Sequence, residues 1–252
     1  MTLLDHGVML VAAFVAGAVN SVAGGGSLLT FPALLAVGFD AVPASITNTV
    51  GLLPGYLGGA HAYRAELRDQ RARVRALVGP AVIGALVGAG LLLVSPADVF
   101  EAVVPFLVLA AAALLAAQPR VSAWVTGRRG APVVGVPCVL VVVTFLGGVY
   151  GAYFGGALGV ILLAALGSVL ADDLQRVNAL KSALSLVINA SAALVFVFSS
   201  HVHWTIAVVM GVGSLGGGRL GAGVARRFGA TQLRVVVVAS ATAVGLVLLV
   251  SA

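Results

Sequence analysis

A short set of residues in this chain can do chemistry, and that chemistry is non-covalent. Asn20 and Ser21 precede three consecutive glycines, Gly24, Gly25 and Gly26, while Thr47, Asn48 and Thr49 lie near the start of a later apolar segment. In the second half Gly155 and Gly156 form a shorter break. The chain's only lysine, Lys181, is followed at i+8 by Asn189, which a helix would place on the same side. Amides and hydroxyls are neutral donors. A helix starting just after Gly26 or Ala157 would offer free backbone N–H groups and the positive end of its dipole. Lys181 adds a full charge. Together these groups suit a small anion.

Ordinary structural roles compete with that reading. Asn, Ser and Thr inside a membrane protein commonly knit helices together, and a lysine near a helix start can snorkel to the headgroups. His61, His201 and His203 fall at segment edges, with Trp204 beside the last, and suit an interface better than a metal site. Arg219 lies near the end of a segment and can snorkel. No metal site and no cofactor is expected. There is no Walker A motif to drive a pump and no H-E-x-x-H; the G-x-G runs interrupt apolar segments and do not follow strands. An enzyme is not expected.

The elements that must position these residues are membrane helices. Of 252 residues, 61% are apolar and 9% charged, and the mean hydropathy is +1.15. A soluble domain carries about 25% charged residues, so too few remain to solvate a globule. At least six apolar stretches reach the roughly 17–25 residues that a spanning helix needs. Runs such as 107–117 do not alternate as barrel strands do. The net charge of +6 comes from arginines between apolar segments, which the positive-inside rule explains without nucleic acid. Cys138 is the single cysteine, so no intrachain disulfide forms. The N-terminus lacks the basic region and early cleavage site of a signal peptide.

In order, apolar segments are expected at 7–23, 27–37, 45–60, 76–94, 99–117, 133–152, 158–166, 178–198, 204–220 and 233–251. Pro43 is expected in a loop. The second segment rises only about 16 Å, roughly half the hydrocarbon thickness, so it cannot span alone. The basic stretch 61–75 and the linker 118–132, with Arg120, Arg128 and Arg129, are expected as cytoplasmic loops. The order long, broken, short, polar-start, long, long then occurs twice. An offset of 131 places Gly17 on Gly148, Gly24 on Gly155 and Gly25 on Gly156; it drifts to 133 at Gly88 and Gly221. Basic and acidic loops exchange places between the halves, as inverted repeats require. The expectation is an all-α polytopic membrane protein, one transmembrane domain with repeat 1 at about 7–118 and repeat 2 at about 133–252. It would hold about eight transmembrane helices, a glycine-broken short helix in each half, and both termini outside.

The residues 20–26, Pro32 with Leu34 and Leu35, Thr47-Asn48-Thr49, 151–159, Asn178-Ala179-Leu180-Lys181 and the run 216–227 resemble the TauE/SafE sulfite-exporter family of permeases. The resemblance covers nearly the whole chain. It implies a multi-pass protein of the cell membrane that moves sulfite, sulfonates or related sulfur-containing anions. The second half departs from the dense glycine run at Ala157 and Leu158. The expected partners are a small anionic substrate and the lipid bilayer; homodimerisation is left open. A permease for another solute, or a non-transporting scaffold, are the alternatives. Transport predicts a cavity lined by Asn20, Asn48 and Lys181, whereas a scaffold predicts that these groups pair with one another.

Overall fold

The computed structural model describes residues 2–22, 24–127, 135–170, 172–199, 201–228 and 230–251. Among them the chain forms α1 (Leu3–Val22), α2 (Ser27–Ala36), α3 (Ala41–Ala62), α4 (Arg64–Arg68), α5 (Arg71–Val94) and α6 (Ala97–Gly127). It continues as α7 (Cys138–Tyr153), α8 (Leu158–Val169), α9 (Leu174–Val197), α10 (Trp204–Phe228) and α11 (Ala230–Ser251). The described residues contain no strand. Helices α5, α6 and α9, with Leu3–Ser21 of α1, are long and apolar enough to span a bilayer; α2, α7, α8 and Arg234–Val250 are apolar but shorter. The molecule is an all-α polytopic membrane protein.

Several helix ends differ from expectation, chiefly at arginines. Apolar pattern marks where hydrocarbon begins, while arginine is a good helix former and carries helices beyond it. The basic stretch 61–75 is therefore the end of α3, the single-turn α4 and the start of α5. The linker expected from residue 118 is helical to Gly127, through Pro119. Arg226 and Arg227 lie within α10, not in a loop. Pro43 sits in the first turn of α3, where a missing N–H costs nothing. Ala23, Arg128, Arg129, Pro132 and Val133 of the expected segments lie outside the described residues.

Two faces emerge. The Arg73 guanidinium pairs with Asp172, the Gln70 side chain donates to the Arg176 carbonyl at 2.9 Å, and Arg176 approaches Asp69 at 3.6 Å. These ties gather the α3–α5 connection and the start of α9 on one arginine-rich face. On the other, the His203 N–H donates to Thr47 Oγ1 at 3.2 Å, and Phe39 meets the His203 ring edge-on at 4.5 Å. Segments 2–6, 37–41, 94–101 and 201–203 at that second face contain Asp5, Asp40, Asp98 and Glu101 but no lysine or arginine.

Glycine seams join the helices. In lipid no hydrophobic force drives helices together, so close van der Waals contact must. A Cβ on Gly17 would stand 2.3 Å from the Ser214 carbonyl oxygen, and one on Gly217 1.8 Å from that of Phe14. Leu10 faces Gly213 and Phe14 faces Gly217, so α1 and α10 run in the same direction. Likewise Gly84 abuts Phe145 and Gly88 abuts Val149, so α5 and α7 run together. The packing also pairs up between halves: α1 on α10 as α7 on α5, α3 on α10 as α9 on α5, and α2 on α11 as α8 on α6.

Gly217→Ala should lower the melting temperature in detergent by forcing the seam apart, at a cost of about 1–3 kcal/mol. Gly90→Ala, whose added carbon meets nothing within 4 Å, should be neutral or slightly stabilising in the same assay.

Candidate functional site

The two breaks meet. Gly24, with φ 79°, and Gly155, with φ 76°, take the left-handed turns that end α1 and α7. The Gly159 N–H donates to the Gly24 carbonyl at 3.2 Å. A Cβ on Gly24 would lie 2.7 Å from the Gly159 Cα, so only glycines allow this approach. Two of the carbonyls released by the second break find protein partners, as burial in hydrocarbon favours. Ser27 Oγ donates to the Gly155 carbonyl at 3.2 Å, and the Tyr150 hydroxyl to the Gly156 carbonyl at 2.6 Å. Phe31 and Phe154 close the junction edge-on at 5.5 Å.

One expectation is corrected here. The Gly26 N–H at the start of α2 is not free: it donates to Asn20 Oδ1 at 2.7 Å. At the second break the Gly159 N–H is equally taken. Those two N–H groups are satisfied internally, which leaves the side chains beside them as candidates to recognise a ligand.

Beside the junction lies a cavity of about 10 Å³, lined by Asn20, Ser21, Gly24, Gly55, Tyr56, Gly59, Ala60, Gly159, Lys181, Ser182 and Ser185. That is room for about one water-sized sphere. Lys181 is 2% exposed and Asn20 8%. Lys181 Nζ and Asn20 Nδ2 are buried without a hydrogen-bond partner, and Lys181 joins none of the ion pairs among the described residues. The Tyr56 phenol faces the amides of Asn20 and Asn189, yet Asn20 Nδ2 finds no acceptor in bonding geometry. Asn178 Oδ1 is a buried acceptor also without a partner, but Asn178 is absent from the lining. No carboxylate lines the cavity, so its polar wall holds donors, hydroxyls and one potential cation.

The structure thus brings Asn20, Ser21, Gly24 and Lys181 to one cavity and leaves the other expected residues around it. Gly25 packs on Leu115 and Gly26 on the Ala16 backbone. Asn48 Oδ1 accepts from Thr30 Oγ1 at 2.5 Å, Thr49 Oγ1 donates to the Ser45 carbonyl at 3.0 Å, and Thr47 holds the His203 backbone. Those three groups are internal ties and do not line the cavity. Gly155 and Gly156 belong to the junction. Asn189 Nδ2 donates to the Ser185 carbonyl at 2.8 Å and stands behind Tyr56. Sequence reasoning missed Tyr56, Ser182 and Ser185. The signal was present on α9, where Asn178, Lys181, Ser182, Ser185 and Asn189 recur every three or four residues and make a polar stripe on an apolar helix.

These features define an integral membrane protein with a small, donor-rich internal cavity at a paired helix break. The chain belongs to the sulfite exporter TauE/SafE family, whose model matches residues 9–248. It is 30% identical over 243 residues to the probable membrane transporter protein ORF9 of a Sinorhizobium species, covering 94% of this chain and 90% of that one. It is 28% identical over 219 residues to the probable membrane transporter protein YfcA of Escherichia coli K12, with 85% and 78% covered. A probable membrane transporter protein of Haemophilus influenzae is 29% identical over 244 residues, with 93% and 92% covered. No solved structure matches. The chain is accordingly a membrane transporter.

Asn20→Ala should leave the buried Gly26 N–H without its acceptor and cost about 1–3 kcal/mol, seen as a lower melting temperature. Asn20→Asp, which keeps an acceptor for the Gly26 N–H, should recover most of that loss.

Proposed function

We propose that the chain moves a small anion, a sulfite- or sulfonate-like oxyanion, across the cytoplasmic membrane by alternating access around the Asn20–Lys181 cavity. The observation carrying this reading is the presence of two buried, unpartnered donors, Asn20 Nδ2 and Lys181 Nζ, in one cavity whose lining lacks a carboxylate. A buried unpaired ammonium is costly, and an anion beside it offsets that cost while satisfying the donors. A cation would meet only repulsion. The sulfur chemistry rests on the family's description and the anion on the cavity.

At about 10 Å³ the cavity is too small for a sulfur oxyanion, so in this reading it is a closed form that widens when the halves move. The halves act as inverted repeats. Their helices follow the same order, their packing pairs are exchanged, and α3 ends on the face where α9 begins. Such repeats support rocking of one half against the other about a fixed site. The arginine-rich face is then cytoplasmic and both termini lie outside.

Lys181→Met keeps the buried stem and removes the charge. Flux of labelled sulfite and sulfonates in proteoliposomes should fall by about tenfold or more, the size of a lost charge-assisted contact, while the melting temperature stays level or rises. Wild-type flux in Lys181→Met would overturn the assignment. For topology, in a Cys138→Ser background, a membrane-impermeant maleimide should label Ala97→Cys in intact cells and Arg120→Cys only after lysis. The reverse pattern would refute the orientation.

A further inference from the structure

The arginine-rich face carries a second feature that the internal cavity does not use. Arg64, Arg68, Arg71 and Arg75, with Leu67, Val74 and Ala183, line an open cleft of about 490 Å³ where α4 and the start of α5 meet α9. Arg64 and Arg68 are four apart on α4, as are Arg71 and Arg75 on α5. Like charges at that spacing repel on a helix, and here two such pairs turn onto one cleft.

Nearby acids do not relieve this. Asp69 approaches Arg176 and Asp172 pairs with Arg73. Glu66 is absent from the lining, with its Oε2 buried and without a partner. None of the four cleft arginines is in an ion pair among the described residues. The contrast with Arg73 is informative: it has a carboxylate of its own, whereas the four guanidiniums that converge have none.

We propose that this cleft is an oxyanion-binding site, separate from the Lys181 cavity, that takes a phosphate- or sulfate-like group from solution or from an anionic lipid headgroup. Guanidinium forks match tetrahedral oxyanions in two-point contacts. Basic pockets between helices on a cytoplasmic face are known to take lipid headgroups, and Leu67, Val74 and Ala183 supply an apolar floor beside the charged heads. The proposal does not rest on transport through the internal cavity.

The test uses the full chain purified in detergent. One arm titrates inorganic sulfate and the other phosphatidylglycerol against phosphatidylcholine, each read by calorimetry and melting temperature. Arg68→Gln/Arg71→Gln is compared with Arg120→Gln/Arg219→Gln, which removes equal charge elsewhere in the chain, and with Lys181→Met. Saturable binding that weakens at least tenfold in the cleft pair, and less than twofold in the Arg120→Gln/Arg219→Gln pair, supports the site. Which arm saturates identifies the source of the oxyanion. Equal weakening in both arginine pairs reduces the effect to general charge and overturns the proposal, as does the absence of saturable binding in both arms. Loss confined to Lys181→Met assigns the binding to the internal cavity, refuting the cleft while supporting the transport site.

Discussion

The structure depends on one constraint: a backbone interrupted inside hydrocarbon must find every lost hydrogen bond within the protein. This chain meets the constraint by placing its two interruptions against each other. The Gly24 carbonyl takes the Gly159 N–H, Ser27 of one break caps the Gly155 carbonyl of the other, Asn20 takes the Gly26 N–H, and Tyr150 caps the Gly156 carbonyl. Neither break is complete alone. This reciprocal arrangement holds the halves together at the centre and also sets the side chains of Asn20 and Lys181 around a common space.

The seams farther out follow from it. If α1 and α7 stop at the junction, the helices beside them must approach closely enough to hold their ends in place. Backbone contact through Gly17, Gly213 and Gly217 does this for α1, and through Gly84, Gly88 and Gly148 for α7. Glycine weakens each helix in isolation, but in lipid the alternative is a loose bundle with little to hold it. The high glycine content is thus a packing device in the seams and a conformational one only where φ is positive.

How much could be read from the sequence varies with the physical scale of the signal. The membrane class, the short helices after each break and the isolation of Lys181 were legible because each depends on local composition or a single residue. Asn48 looked equivalent to Asn20 because both are amides in apolar surroundings. Their fates differ only through α2, whose Thr30 reaches Asn48 while its Gly26 N–H reaches the other oxygen, at Asn20. That distinction is tertiary and no local pattern carries it. Tyr56 was invisible for the same reason, since its role comes from facing Asn20 and Asn189 on two other helices. The helix ends were misjudged because hydropathy reports the lipid boundary and not where backbone hydrogen bonding stops.

The two halves of the chain do not carry equal chemistry, and the difference bears on the proposed transport. Asn48 and Lys181 are each the eighth residue of their helices, α3 and α9. One is neutral and already bonded to Thr30; the other ends in a charge with no partner. At an offset of 131, Gly151 corresponds to Asn20. The space beside Gly151 is filled by the side chains of Leu158 and Ile188, and a Cβ there would stand only 2.7 Å from Leu158 Cδ2. The polar cavity therefore has an apolar, filled counterpart across the junction. Two equal polar cavities would give an anion a wet path through both halves and leave nothing to seal. One polar cavity backed by the side chains of Leu158 and Ile188 is instead closed on that side, and this is the asymmetry that the proposed alternating access would use.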